Sequence, residues 1–120
     1  MKKFLKGFKY AYQGVRYAFE TQINFKVHSA ISGLVLLLGF FLNLSQLEWL
    51  WILCAIFLVI AAELFNTALE VLVDLISPDY HPKAGHIKDL ASAVVLLTAI
   101  FAFITGLIIF TPKLLSFSEF

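Results

Sequence analysis

From its first residues the chain sorts apolar and polar side chains at helical spacing. Over residues 3–19, Phe4, Phe8, Ala11, Tyr12, Val15 and Phe19 share one side of the wheel, and Lys6, Lys9, Gln13 and Arg16 the other. Basic residues opposite aromatics predict a helix lying in a membrane surface rather than crossing it. A helix packed on a partner or in a core is the plainer reading of the same pattern. A polar lead-in with Gln22, Asn24, Lys26 and His28 follows. Three apolar runs then predict membrane spans at about 29–44, 47–76 and 87–110. The first two are parted by the polar break Asn43 to Gln46, and the last ends at Thr111-Pro112. Between the second and third lies Ser77-Pro-Asp-Tyr-His-Pro-Lys-Ala-Gly-His86, the stretch richest in helix breakers.

Composition makes the membrane reading firmer. Of 120 residues, 61% are hydrophobic and 14% charged, where an ordinary soluble domain has about 25% charged. So small a globule could not hide that excess. The expected class is all-α, one integral membrane domain over 1–120 without linker or low-complexity tract. The net charge of +1 gives no sign of a nucleic-acid partner, and none is expected. Six of the nine Lys and Arg (Lys2, Lys3, Lys6, Lys9, Arg16, Lys26) precede the first apolar run. Positive charge marks the cytoplasmic side, so the amino terminus and the 77–86 loop, with Lys83 and Lys88, are expected there. No cleavable signal is expected, since no apolar core directly follows the basic residues. The single cysteine, Cys54, excludes an internal disulfide and a cysteine-based metal cluster.

The second span carries the candidate chemistry. Glu63, Asn66, Glu70 and Asp74 fall at about 0°, 300°, 340° and 20° on the wheel, one narrow stripe on an otherwise apolar helix. Ionisable residues at membrane depth are costly and point to function. Counting from Leu47, roughly 20 residues cross the hydrocarbon, which puts Glu63 and Asn66 just inside the cytoplasmic boundary. Glu70 and Asp74 lie roughly 10 and 16 Å further along the axis, in water. One face thus joins lipid to water, as chemistry between a dissolved lipid and a soluble reactant needs. Carboxylates can share Mg²⁺ with nucleotide phosphates, a lysine such as Lys88 can neutralise phosphate charge, and a carboxylate at the boundary can act as a general base toward a lipid hydroxyl. No P-loop, protein-kinase or HExxH signature is present. On these grounds a lipid phosphotransferase stands beside a non-enzymatic oligomer or channel whose stripe only glues helices. A channel, however, would spread its polar stripe through the full depth, whereas Trp49 to Ala62 is wholly apolar.

On the third span Ser92, Ala99, Ala102 and Gly106 keep to one side, a small-residue stripe that suits close helix packing. Asp74 reads as a helix-end charge or a member of the stripe. His28 reads as an interfacial anchor, His86 as a solvated loop residue, and Trp49 and Trp51 as an outer aromatic belt. Three spans cannot enclose a polar stripe on all sides. A homo-oligomer with sites between subunits is therefore expected.

Two motifs go further. Glu63-x-x-Asn66-Thr67-Ala68-x-Glu70-x-x-Val73-Asp74 and Tyr80-His81-Pro82-x-Ala84-x-x-x-Lys88-Asp89-x-x-Ser92-Ala93-Val94 resemble the prokaryotic diacylglycerol kinase / undecaprenol kinase family, over essentially the whole chain. The resemblance implies a homotrimeric enzyme of the bacterial inner (cytoplasmic) membrane that uses Mg²⁺ and ATP to phosphorylate a lipid alcohol at the cytoplasmic surface. It implies Glu63 as catalytic base, Asn66 and Ser92 beside the lipid head, and Glu70 as a metal ligand. Lys88 and Asp89 match the nucleotide-binding pair, Asp79, Tyr80 and His81 the loop flanking it, and Lys3 and Tyr10 surface-helix positions near it. The form of the Tyr-His-Pro loop favours undecaprenol as acceptor over diacylglycerol. One position departs: where the family usually carries a second metal-binding Glu, this chain has Gln22, which offers a carbonyl but no charge. Glu20 lies about 200° away on a regular helix and cannot replace it. A weaker hold on the metal is expected.

Overall fold

A computed structural model describes residues 1–118. Within them the chain is all helix: α1 (Lys2–Thr21), α2 (Ile23–Phe41), α3 (Gln46–Ile76) and α4 (Pro82–Ser118). The last three are long and apolar enough to cross a membrane. At 1.5 Å per residue α3 and α4 reach about 46 and 55 Å, well beyond a hydrocarbon core of about 30 Å, so their ends project from it.

Each break has a local cause. Between α1 and α2 a single residue, Gln22, leaves helical geometry (φ −114°, ψ 111°). Phe19 and Phe25 meet edge to face across this joint, 6.4 Å between ring centres. The polar lead-in is therefore helical from Ile23 onward. The α2–α3 turn is set by Asn43, which adopts φ 52°, a left-handed conformation that asparagine tolerates better than most residues. Ser45 then starts α3 with a capping box: its hydroxyl accepts from the Glu48 amide at 3.2 Å, and the Glu48 carboxylate accepts from the Ser45 amide at 2.9 Å. At the other end of α3 a short loop leads to Pro82 at the first position of α4. The His81 ring nitrogen accepts from the Lys83 amide at 3.1 Å there.

α4 does not stop at Thr111-Pro112 but runs through Pro112 to Ser118. Proline removes one helical hydrogen bond and crowds the carbonyl four residues back, which bends a helix more readily than it ends one when apolar neighbours hold both sides. The continuation brings Lys113 to Glu48, Nζ to Oε1 3.2 Å, tying the start of α3 to the end of α4.

The main apolar cluster lies at this same end: Leu44, Ile52, Ile109 and Phe110, with Val35, Leu38, Leu42, Trp49 and Ile56 against it. Gly39 lets the α2–α3 turn close. A Cβ there would meet Leu44 Cδ1 at 2.8 Å and Trp49 Cη2 at 3.0 Å, both packed side chains. Gly39→Val is expected to lower the thermal midpoint in detergent, at a cost of roughly 1–3 kcal/mol from overpacking. Gly33→Ala serves as the control, since nothing lies within 4 Å of a Cβ at Gly33. An equal fall in both would sink the explanation. Ala99, Ala102 and Gly106 line a groove between α2, α3 and α4, and a Cβ on Gly106 would make only an ordinary contact at 3.9 Å.

Candidate functional site

The polar stripe of α3 lies at the end of the bundle away from the apolar cluster. Glu63 is 2% exposed, the most enclosed large side chain described. Asn66 and Thr67 are buried with it, and Glu70 is half-buried. The Thr67 hydroxyl donates back to the Glu63 carbonyl at 2.9 Å, which satisfies it within the helix. Asn66 Nδ2 donates to Glu70 Oε1 at 3.3 Å, so the amide holds the second acid one turn on, as the i, i+4 spacing allows. Two buried oxygens lack a hydrogen bond: Glu63 Oε1 and Asn66 Oδ1. Leaving such groups unpaired is costly, and in native proteins each such group has a reason, a catalytic role or a bound water or ion among them.

α2 adds a residue that reading the sequence as separate helices missed. His28 Nε2 lies 3.2 Å from Glu63 Oε1, close but out of line for a hydrogen bond. His28 is thus not merely an interfacial anchor. The periodicity of one helix carries no signal for a contact between two. α4 contributes Lys88, whose Nζ is 2.6 Å from Asp74 Oδ1. Asp74 therefore belongs with Lys88, and Glu70 lies within electrostatic range of both Glu63 and Lys88.

The other candidates are placed less tightly. Asp79, Tyr80 and His81 are exposed in the loop before α4, Tyr80 at 90%. Asp89 and Ser92 are exposed on α4, and Lys3 and Tyr10 on α1. Gln22, half-buried at the α1–α2 joint, donates to the Thr21 hydroxyl at 3.4 Å. Glu20 is held by Arg16 at 2.8 Å, a contact that raises the guanidinium further above its ordinary range. Among the described residues no three His, Cys, Asp or Glu side chains converge to hold a metal ion. A cation here would need oxygens from its ligand. One or two carboxylates completed by phosphates is the usual arrangement for Mg²⁺, and Glu70 fits that part.

An acid so enclosed on so apolar a chain defines the class: a helical membrane protein with a polar site at one end of its bundle. The model of the prokaryotic diacylglycerol kinase family matches residues 9–110, and the chain belongs to that family. It is 40% identical to the undecaprenol kinase of Bacillus subtilis (strain 168), over 95% of this chain and 93% of that protein. To the diacylglycerol kinase of Synechocystis it is 42% identical over 93% of this chain and 65% of the longer relative. To that of Escherichia coli (strain K12) it is 29% identical, over 89% and 88%.

Proposed function

We propose that the protein is a lipid kinase moving the γ-phosphoryl group of ATP to the hydroxyl of a membrane alcohol, undecaprenol in preference to diacylglycerol. The observation that carries this is Glu63, enclosed on a membrane-length helix, with a second acid and a lysine further along toward water. The branch preference is supported by the nearly end-to-end match to an undecaprenol kinase and by the Tyr80-His81-Pro82 loop.

In this reading Glu63 takes the proton of the lipid hydroxyl as the alcohol oxygen attacks the γ-phosphorus. The bond from that phosphorus to the bridging oxygen breaks, and ADP leaves with the electron pair. Asn66 holds Glu70 by its amide and offers Oδ1 to the lipid head, with Ser92 nearby on α4. Lys88 turns from Asp74 to the phosphates, flanked by Asp89 and by Asp79, Tyr80 and His81. Lys3 and Tyr10 of α1 close over the nucleotide. Mg²⁺ entering with ATP would be held by Glu70 and the Gln22 carbonyl, and would neutralise phosphate charge. Phosphoryl transfer asks chiefly for such positioning and neutralisation, so no P-loop is needed.

The surrounding assembly follows the same reading. The exposed Phe4, Phe8 and Tyr12 of α1 support a helix lying on the membrane surface, with the amino terminus on the cytoplasmic side of the inner membrane. Extensive exposed apolar surface on α2 and α4 suits lipid and a homotrimer that completes each site from a neighbour.

The test is transfer of labelled phosphate from ATP in mixed micelles, with undecaprenol and diacylglycerol offered separately. Label in undecaprenol at the higher kcat/KM supports the reading, whereas label in neither favours a non-enzymatic oligomer. Gln22→Glu is expected to lower the Mg²⁺ concentration at half-maximal rate several-fold, because affinity rises with the charge of the ligand set. An unchanged Mg²⁺ titration would remove Gln22 from the metal.

A further inference from the structure

His28 touches two things at once. Its Nε2 lies 3.2 Å from Glu63 Oε1, an oxygen with no hydrogen bond. Its ring also lines, with Ser32, the polar end of the groove between α2, α3 and α4. That groove has a volume of about 410 Å³ and is otherwise walled by aliphatic and aromatic side chains such as Val35, Val59 and Phe103. The Ser32 hydroxyl is committed to the His28 carbonyl at 2.7 Å, so the imidazole is the polar group left facing the acid. Glu70, on the same helix as Glu63, also lies within electrostatic range of that acid.

A neutral imidazole has one N–H donor and one acceptor. With the proton on Nε2 it donates to Glu63 once the imidazole turns into line. The carboxylate, otherwise free to rotate about its last torsion, then has one oxygen fixed and the other available to a hydroxyl. A base must lie within hydrogen-bond reach of the proton it removes, and an ångström of misplacement costs on the order of 100-fold in rate.

We propose that His28 is the positioning residue of the transfer: its Nε2–H holds Glu63 Oε1 and aims the carboxylate at an alcohol whose tail lies in the groove. This rests on the lipid-kinase reading above. His28 itself exchanges no proton with the substrate in the step.

The test pairs two measurements on the full-length protein in micelles. The first is the labelled-lipid assay on His28→Leu, which keeps bulk and loses the donor, and on His28→Gln, whose amide nitrogen reaches the place of Nε2. His28→Leu is expected to lose roughly 100-fold in kcat with KM for ATP unchanged, and His28→Gln to recover at least about tenfold of it. A merely structural role would not be rescued by the amide. The second is the ¹⁵N spectrum of the three imidazoles in wild type and Glu63→Gln. The signal missing from His28→Gln is expected to change its tautomer balance when Glu63 is replaced. Labelled lipid with His28→Leu within about threefold of wild type, a Gln variant no better than Leu, or an unmoved imidazole signal overturns the proposal alone. A wild type that labels no lipid overturns the kinase reading and the catalytic role together, while the imidazole signal still reports the contact.

Discussion

Glu63→Gln is expected to abolish lipid phosphorylation while leaving the protein as stable as wild type, or more so. Loss of a positioned general base costs roughly 10²–10⁴-fold in rate. Positioning and charge neutralisation remain in the variant, so the fall in kcat is expected within that range. Stability should move the other way because of where the residue sits. At 2% exposure Glu63 has given up its water, and its Oε1 has only the misaligned His28 in return. Glutamine keeps the shape, adds a donor and removes the burden of burying a charge. The measurement is kcat by lipid labelling beside thermal aggregation in the same detergent, for wild type and variant. A large loss of stability would recast Glu63 as a structural member of the α2–α3 contact. An active variant would remove it from the proton transfer.

The second large effect is expected at Lys88, and its partner gives the internal control. Lys88 Nζ and Asp74 Oδ1 lie 2.6 Å apart, but both side chains are well exposed, 41% and 66%. An exposed pair of this kind is worth about 0–1 kcal/mol, so it holds the lysine ready without trapping it. Lys88→Met should lower kcat/KM for ATP by roughly 10²–10³-fold, the scale of losing one charge donor at a reacting phosphate. Asp74→Asn should leave kcat/KM for ATP within about threefold, because little has to be broken when the lysine turns. Steady-state kinetics with ATP varied at saturating lipid decides between them. If Asp74→Asn is as damaging as Lys88→Met, the pair works as a unit and the lysine does not move to the phosphates.

The polar stripe of α3 could be read from the order of residues. Glu63, Asn66 and Glu70 recur at one helical face, and helical periodicity is a local property that a sequence carries directly. The helices were legible for the same reason, as was the break at Asn43 to Gln46. Contacts between helices were not. His28 and Glu63 are 35 positions apart, and their meeting depends on where α2 begins after the extended Gln22 and how tightly the Gly39 turn closes. Neither is encoded in the hydrophobic pattern of α2. Lys88 and Asp74 meet because the connection between α3 and α4 spans only residues 77–81. The run of breakers through His86 suggested a longer loop, whereas the structure uses its Pro82 to begin a helix. The helix also runs on past the span end read at Pro112. Proline forbids one hydrogen bond, but Lys113 reaching Glu48 and Phe110 packed in the apolar cluster hold the axis on both sides.

The apolar cluster of Leu44, Ile52, Ile109 and Phe110, the Gly39 turn and the Glu48–Lys113 tie all stand at one end of the bundle. The polar stripe of Glu63, Asn66, Glu70 and Asp74 stands toward the other, where α3 and α4 are joined by a short exposed loop. Because that loop and the Asp74–Lys88 pair close α3 on α4 here, the elements able to part are α2 and α3, a pair of tongs pinned at the Gly39 turn. Thermal breathing should be smallest around Ile52 and grow toward Asp74, so amide exchange should quicken along α3 in that direction. A long-tailed alcohol could then slip in sideways from the bilayer by parting the jaws, without disturbing the pin.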